Sequence, residues 1–320
     1  MTQARVTGVR SIEIGVRDLH QSSEFYNKVW ALEEVASEGD SMHFRATGAE
    51  HHILTIRERP NPNLLGVHFA TVDRLAVDQL YAKAKGYGVE VLGDPAPLPA
   101  SAGGGYGFRF KTPDGLPMCI SSDSAQHSNV VLDRSRPTKI SHVVLNSGKI
   151  DDQIPFFVDV LGFKLSDSTQ MMDFLRCSAD HHSVAIFRNN GPSLNHVAYE
   201  LPNIDGLMRG TGRVKKSGFD IEWGIGRHGP GSNVFSYFIE PNGFVAEYTT
   251  ELDQLDDATH IPMGPDYWNK AVPGPDRWGT AGFPSNRMRF AMSGGIYLGE
   301  QPPEGVRCED IIGRKLGTAA

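Results

Sequence analysis

Cysteine is scarce in this sequence. Three occur, Cys119, Cys177 and Cys308, widely separated and without a Cys-x-x-Cys pair, so neither a disulfide framework nor a thiolate zinc site is expected. No apolar run is long enough to span a bilayer, and residues 1–10 lack the apolar centre of a signal peptide. No basic run occurs and the net charge is −7, which makes nucleic acid and anionic membranes poor partners. A cytoplasmic protein is the expectation. With 39% apolar and 22% charged residues the composition is that of a folded globular protein, and 320 residues allow two domains or one with a tail.

The most informative stretch is 226–248. It carries His228, Tyr237 and Glu247 around a turn signal, Glu240-Pro241-Asn242-Gly243, flanked by apolar, aromatic-rich runs that predict two hairpin strands. Tyr237 and Glu247 then sit on adjacent strands. A carboxylate buried in an apolar strand costs several kcal/mol unless a cation meets it, and a metal ion is one such partner.

Upstream, residues 8–16 alternate as a strand. Asp18 is a suitable N-cap for a helix over 19–30, with Leu19, Phe25, Tyr26 and Trp30 on its buried face. Short strands follow at 42–46 and 52–56. A second strand–helix–strands unit runs from about Gly66 to 120 and turns at Pro113-Asp114-Gly115, while 94–107, rich in Pro, Ala and Gly, reads as loop. The order then returns. Residues 50–56 answer 180–186, Val67-His68-Phe69-Ala70 answers Asn195-His196-Val197-Ala198, and Pro113-Asp114-Gly115 answers Pro241-Asn242-Gly243, at nearly constant offset. A duplicated unit is the simplest account. The expected fold is α+β, with four βαβββ modules in two tandem domains, 1–123 and 138–252. A linker over 124–137 and a C-terminal extension over 253–320 complete the chain.

The repeat supplies an internal comparison. Strand positions in the second half offer His142, His196 and Glu247 as metal ligands, and by the repeat their first-half counterparts are Glu13, His68 and Cys119. One working site and one relic is the reading. Two His and one carboxylate from three strands form the facial triad of non-haem Fe(II) oxygenases, although Mn(II), Zn(II) and Ni(II) accept the same ligands.

These residues resemble the extradiol ring-cleavage dioxygenases of the vicinal oxygen chelate superfamily. The likeness covers about 8–250 and rests on spacing: Tyr237 nine residues after His228, Glu247 ten after Tyr237, His196 fourteen after His182. Ser236, where relatives carry an apolar residue, departs from the pattern. The resemblance implies two vicinal oxygen chelate domains, each an incomplete barrel-like sheet, and a homo-oligomer. It implies Fe(II), or Mn(II) in some relatives, held by His142, His196 and Glu247, acting on a catecholic substrate with O2. His182 would be the acid–base residue, Tyr237 would hydrogen-bond a catecholate oxygen, and His228 would hold the substrate's other edge. His181 reads as a surface residue of a polar turn. Phe174, Trp223 and Phe187 would form an apolar slot for the ring. Trp223, at a position where relatives with carboxylated substrates place Arg, favours an uncharged catechol or aryl catechol. The extension, with Trp268, Trp278, Arg287 and Arg289, would cover the pocket as a lid. Two other readings stay open: an oxygen-independent metal-dependent isomerase or lyase of the same superfamily, and a non-catalytic ligand-sequestering module.

Overall fold

The computed structural model describes residues 3–130, 133–272 and 274–312. The first half runs β1 (Gly8–Val16), α1 (Leu19–Glu24), β2 (Glu33–Glu38), β3 (Ser41–Arg45) and β4 (Leu54–Glu58), then β5 (Leu64–Ala70), α2 (Arg74–Tyr87), β6 (Ala96–Pro97), β7 (Tyr106–Lys111) and β8 (Pro117–Ser122). The second half repeats it: β9 (Lys139–Ser147), α3 (Ile150–Pro155), β10 (Lys164–Ser168), β11 (Met172–Arg176) and β12 (Val184–Arg188), then β13 (Ser193–Glu200), α4 (Ile204–Lys216), β14 (Trp223–Arg227), β15 (Val234–Ile239) and β16 (Val245–Thr250). Each half is one open eight-stranded sheet, ordered β2-β3-β4-β1-β5-β8-β7-β6 and β10-β11-β12-β9-β13-β16-β15-β14. The four βαβββ modules expected from the sequence are present. Helices α5 (Pro265–Ala271), α6 (Asn286–Met292), α7 (Gly295–Leu298) and α8 (Cys308–Ile311) follow outside the repeat.

Local chemistry sets the helix starts. Asp18, Asp73 and Asn203 each accept a backbone N–H three residues on, from Gln21, Ala76 and Gly206. The helix expected over 19–30 forms, but its second part, Phe25–Val29, widens to π geometry and buries Phe25, Tyr26 and Trp30. Loop 94–107 contains more structure than composition suggested: the two-residue strand β6 and a 3₁₀ turn at Ala100–Ala102.

Trp30 ties the halves together. Its ring stacks on Tyr248 at 3.9 Å, and its carbonyl accepts the Tyr248 hydroxyl at 2.6 Å. Phe25 meets Phe219 and Phe69 meets Phe163, so aromatic side chains of both halves fill one continuous core.

The β15–β16 turn is held from inside by Glu240, which is buried. Its carboxylate accepts the N–H groups of Asn242 and Phe244 and the Asn242 amide, and Gly243 closes the turn at φ +92°. Burial pushes the Glu240 carboxyl up to about 7, against these hydrogen bonds, which lower it. The folded state therefore favours the protonated form, and that stability is present below pH 4.5 and lost as pH rises through 7. Relative to Glu240→Gln, the wild type should lose about 3 kcal/mol between pH 4.5 and 8. Urea unfolding of both proteins at the two pH values measures the difference; parallel pH dependences would refute it.

Candidate metal centre and its cavity

Three adjacent central strands, β9, β13 and β16, carry the three expected ligands. The ladder pairs His142 with Ala198, Ala198 with Glu247, Glu247 with Tyr237 and Tyr237 with Trp223. Directly opposed residues point to one face, so this row of five strands aims His142, Glu247, Tyr237 and Trp223 into the same hollow. His196, two residues before Ala198, shares that face. Ala198 in the middle is small enough to leave the space between them open.

The donor atoms converge. His142 Nε2 and His196 Nε2 each lie 3.3 Å from Glu247 Oε2. Among the described residues these three are the one group whose donors all fall within 4.8 Å of each other. All are buried, and His196 Nε2 and Glu247 Oε2 complete no hydrogen bond with protein. Burial raises the Glu247 carboxyl, but the two imidazoles outweigh it and hold it below the usual carboxylate range. Burial lowers His196. Two imidazoles and a carboxylate with convergent donor atoms are the ligand set of a divalent transition metal.

Hydrogen bonds aim the ligands. Asn195 Oδ1 lies 2.8 Å from His196 Nδ1, and the Asn195 amide donates to Asn146 Oδ1 at 2.9 Å. Asn146 in turn donates to Ser193 and to the Met292 carbonyl, linking the ligand to α6. His142 Nδ1 faces Ser141 Oγ at 3.2 Å, and the Asn233 amide donates to Glu247 Oε1 at 3.2 Å. Asn195 Oδ1 can only accept, so His196 carries its proton on Nδ1 and turns its Nε2 lone pair to the centre. Sequence reading missed Asn146, Asn195 and Asn233. Asn195 precedes His196, and alternation would turn it away; a bulge between Leu194 and His196 brings it into play. The available signal was amide side chains inside, or for Asn233 just ahead of, otherwise apolar strands.

The ladders correct the repeat alignment. Ser11 pairs with His68 as His142 pairs with Ala198, and Glu13 pairs with Gly66 as Val144 pairs with His196. Cys119 pairs with His68 as Glu247 pairs with Ala198. The first-half counterparts of the triad are thus Ser11, Gly66 and Cys119. Val67-His68-Phe69-Ala70 resembles its presumed partner two residues out of register, a slip that preserves the face and so escapes a pattern comparison. Glu13 occupies a neighbouring position, where Arg57 and Arg109 each donate to it at 3.0 Å. Guanidinium groups meet that buried carboxylate.

A cavity of about 550 Å³ opens over the triad. Phe174, Phe187 and Trp223 line it, with His142, His182, His196, His228 and Tyr237. The extension supplies a wall through Trp268, Val272, Pro275 and Arg289. Two residues assigned to the lid sit elsewhere. Trp278 lies under the Arg227 guanidinium, and Arg287 pairs with Glu222, because buried Glu222 requires a cation.

His182 packs at 4.2 Å from His142 and 5.1 Å from Phe174, ring centre to ring centre. Burial lowers it well below the ordinary histidine range, reinforced by His142 and His181, so it is neutral at pH 7. Burial also brings His228 down to about 4, and its Nε2 lies 2.9 Å from the Tyr237 hydroxyl. Its Nδ1 faces the Pro275 carbonyl at 3.2 Å, which makes the Tyr237 O–H the donor in that pair. Burial and then Glu247 raise Tyr237 well above the phenol range, keeping the proton on it. His181 is not at the surface as expected: it is 2% exposed, with Asp167 Oδ2 at 2.9 Å from its Nε2. The expectation failed because 252–263 folds back over that turn, where His181 N–H donates to Asp253 and Leu255 N–H to Ala179.

Fold and site together define a tandem βαβββ protein with one His-His-Glu centre among the described residues. The chain belongs to the Glyoxalase/Bleomycin resistance protein/Dioxygenase superfamily, whose pattern matches 8–120 and 139–248. It is similar to the solved structure of a Mn(II)-bound glyoxalase from Novosphingobium aromaticivorans, at 43% identity and TM-score 0.82, covering 88% of this chain and 94% of that one. Metapyrocatechase 2 of Cupriavidus necator is 31% identical over 41% of this chain, a match spanning 42% of that protein. The manganese-dependent 2,3-dihydroxybiphenyl 1,2-dioxygenase of Geobacillus genomosp. 3 is 24% identical over 70% of this chain and 78% of its own length. Among the described residues no helix is long and apolar enough to cross a membrane.

Proposed function

We propose that this chain is an extradiol dioxygenase that opens a catecholic ring beside its paired hydroxyls, using Fe(II) or Mn(II) held by His142, His196 and Glu247. The observation that carries the reading is the convergence of that triad with His182 and Tyr237 on one apolar cavity. When bound, the metal supplies Lewis acidity toward the catechol oxygens and one-electron chemistry toward O2. Neutral His182 accepts a hydroxyl proton at its ring nitrogen and returns it later in turnover. Tyr237 turns its O–H from His228 to a substrate oxygen, where negative charge is concentrated, and His228 receives the other edge of the substrate. Phe174, Phe187 and Trp223 hold the ring, and the extension excludes water from it. A cavity of about 550 Å³ exceeds the needs of one ring, which supports an aryl-substituted catechol.

The test is oxygen-electrode assay of protein loaded anaerobically with Fe(II) or Mn(II), against a panel of catechols. One O2 consumed per substrate, with a yellow ring-opened product, is the expected result. An oxygen-independent reaction is the second reading, favoured by the glyoxalase name of the 43% identical relative. Substrate loss without O2 uptake would establish it. Tyr237→Phe should retain metal and lower kcat about 100-fold; an unchanged kcat would remove Tyr237 from the mechanism.

A further inference from the structure

Behind His182, outside the cavity, lies a buried chain of polar groups that the reaction as proposed does not use. Asp167 Oδ2 stands 2.9 Å from His181 Nε2, and His181 Nδ1 stands 3.0 Å from His182 Nδ1. The three side chains are 3%, 2% and 3% exposed. Asp167 Oδ1 also accepts the Met263 N–H at 2.7 Å. With both carboxylate oxygens accepting, the proton of the Asp167–His181 contact belongs to His181 Nε2. With that proton on Nε2, the Nδ1 of His181 turns its lone pair to His182, where an Nδ1–H satisfies it. That leaves the lone pair of His182 on Nε2.

The first half provides a comparison within the same molecule. His51 and His52 repeat the contact, with Nδ1 atoms 3.1 Å apart. On the paired strands Asp167 opposes Phe174 where Ala36 opposes His43, so alanine holds the place of the carboxylate. His51 stacks on His127 instead. The histidine pair therefore occurs in both halves, and the carboxylate only in the half that carries the metal-ligand triad.

We propose that Asp167 and His181 are positioning residues that fix the tautomer of His182, keeping its Nε2 a proton acceptor toward the cavity. The inference rests on the dioxygenase reading for its purpose, but the tautomer is measurable without turnover. Asp167→Asn reverses the chain. Its amide N–H donates to His181 Nε2, His181 Nδ1–H donates to His182, and His182 must carry its proton on Nε2. Asp167→Ala removes the constraint and leaves both tautomers accessible. A purely structural role, in which Asp167 fastens the extension through Met263, predicts the opposite ranking, because Asn preserves that bond and Ala does not.

The experiment is 15N NMR of histidine-labelled, Zn(II)-loaded protein, with His182 assigned by difference against His182→Phe, together with kcat, KM and melting temperature. In the wild type His182 should be protonated at Nδ1; Asp167→Asn should shift the proton to Nε2 at unchanged zinc content. The kcat of Asp167→Asn should fall about 100-fold and that of Asp167→Ala about 10-fold, with KM little changed. A wild-type His182 protonated at Nε2 overturns the proposal without recourse to any variant. So does an unmoved tautomer in Asp167→Asn, or a larger loss in Ala than in Asn. If the tautomer moves as described but the metal-loaded wild type consumes no O2 with any catechol, the dioxygenase reading fails and the tautomer assignment stands.

Discussion

Glu247→Ala is expected to empty the metal centre, weakening metal binding by more than about 100-fold and abolishing turnover. Glu247 is the only anion of the triad and is fully buried, with His142 and His196 each 3.3 Å from one of its oxygens. Two neutral imidazoles alone neither neutralise a divalent cation nor supply a third ligand. The variant should still fold: the loss exposes one unsatisfied amide, on Asn233, whose other bond to Thr249 at 2.7 Å remains. Elemental analysis after dialysis reads the metal, and circular dichroism reads the fold. A variant that folds and keeps one metal per chain would refute the triad. Glu247→Gln, which preserves shape but not charge, should also lose the metal, because the lost term is electrostatic.

His182→Phe is expected to give the second large effect, with the opposite signature. The metal should stay, because His182 contacts His142 by ring packing and lies outside the converging donor set. The kcat should fall by about 100- to 10,000-fold, the range for removing a positioned general base. Phenylalanine fills the space against Phe174, so a falling kcat reports chemistry and not collapse of the cavity wall. Metal analysis beside steady-state kinetics separates the two residues. Loss of metal in His182→Phe would make it a ligand, and retention of kcat would exclude it from proton transfer. The two variants together would separate, on the proposed reading, the part of the site that holds the ion from the part that moves protons.

Much of this was legible in the chain. Strand alternation, the cap at Asp18 and the turn Glu240-Pro241-Asn242-Gly243 are local signals that, with the repeat, led to the four modules. A hairpin turn fixes register, so Tyr237 could be set opposite Glu247 from sequence. His142 and His196 were recognisable as histidines in apolar strands. The repeat itself was visible, but its register in β1 and β5 was not. A slip of two residues keeps every side chain on the same face, and only hydrogen-bonded ladders distinguish Ser11 and Gly66 from Glu13 and His68.

What the sequence alone determined is thus the four repeated modules, their duplicated order and the identities of the residues on one sheet face, because propensity, capping and alternation act over a few neighbouring residues. Tertiary structure decided the rest. The row from His142 to Trp223 depends on pairing among five strands, three of its four connections being between segments distant in the chain or bulged. The burial of His181 against Asp167 and the cavity wall of Trp268, Val272, Pro275 and Arg289 depend on an extension folding back over a finished sheet. Those contacts join residues with no local relation, and only long-range packing, by desolvating a charge and demanding its partner, brings them together.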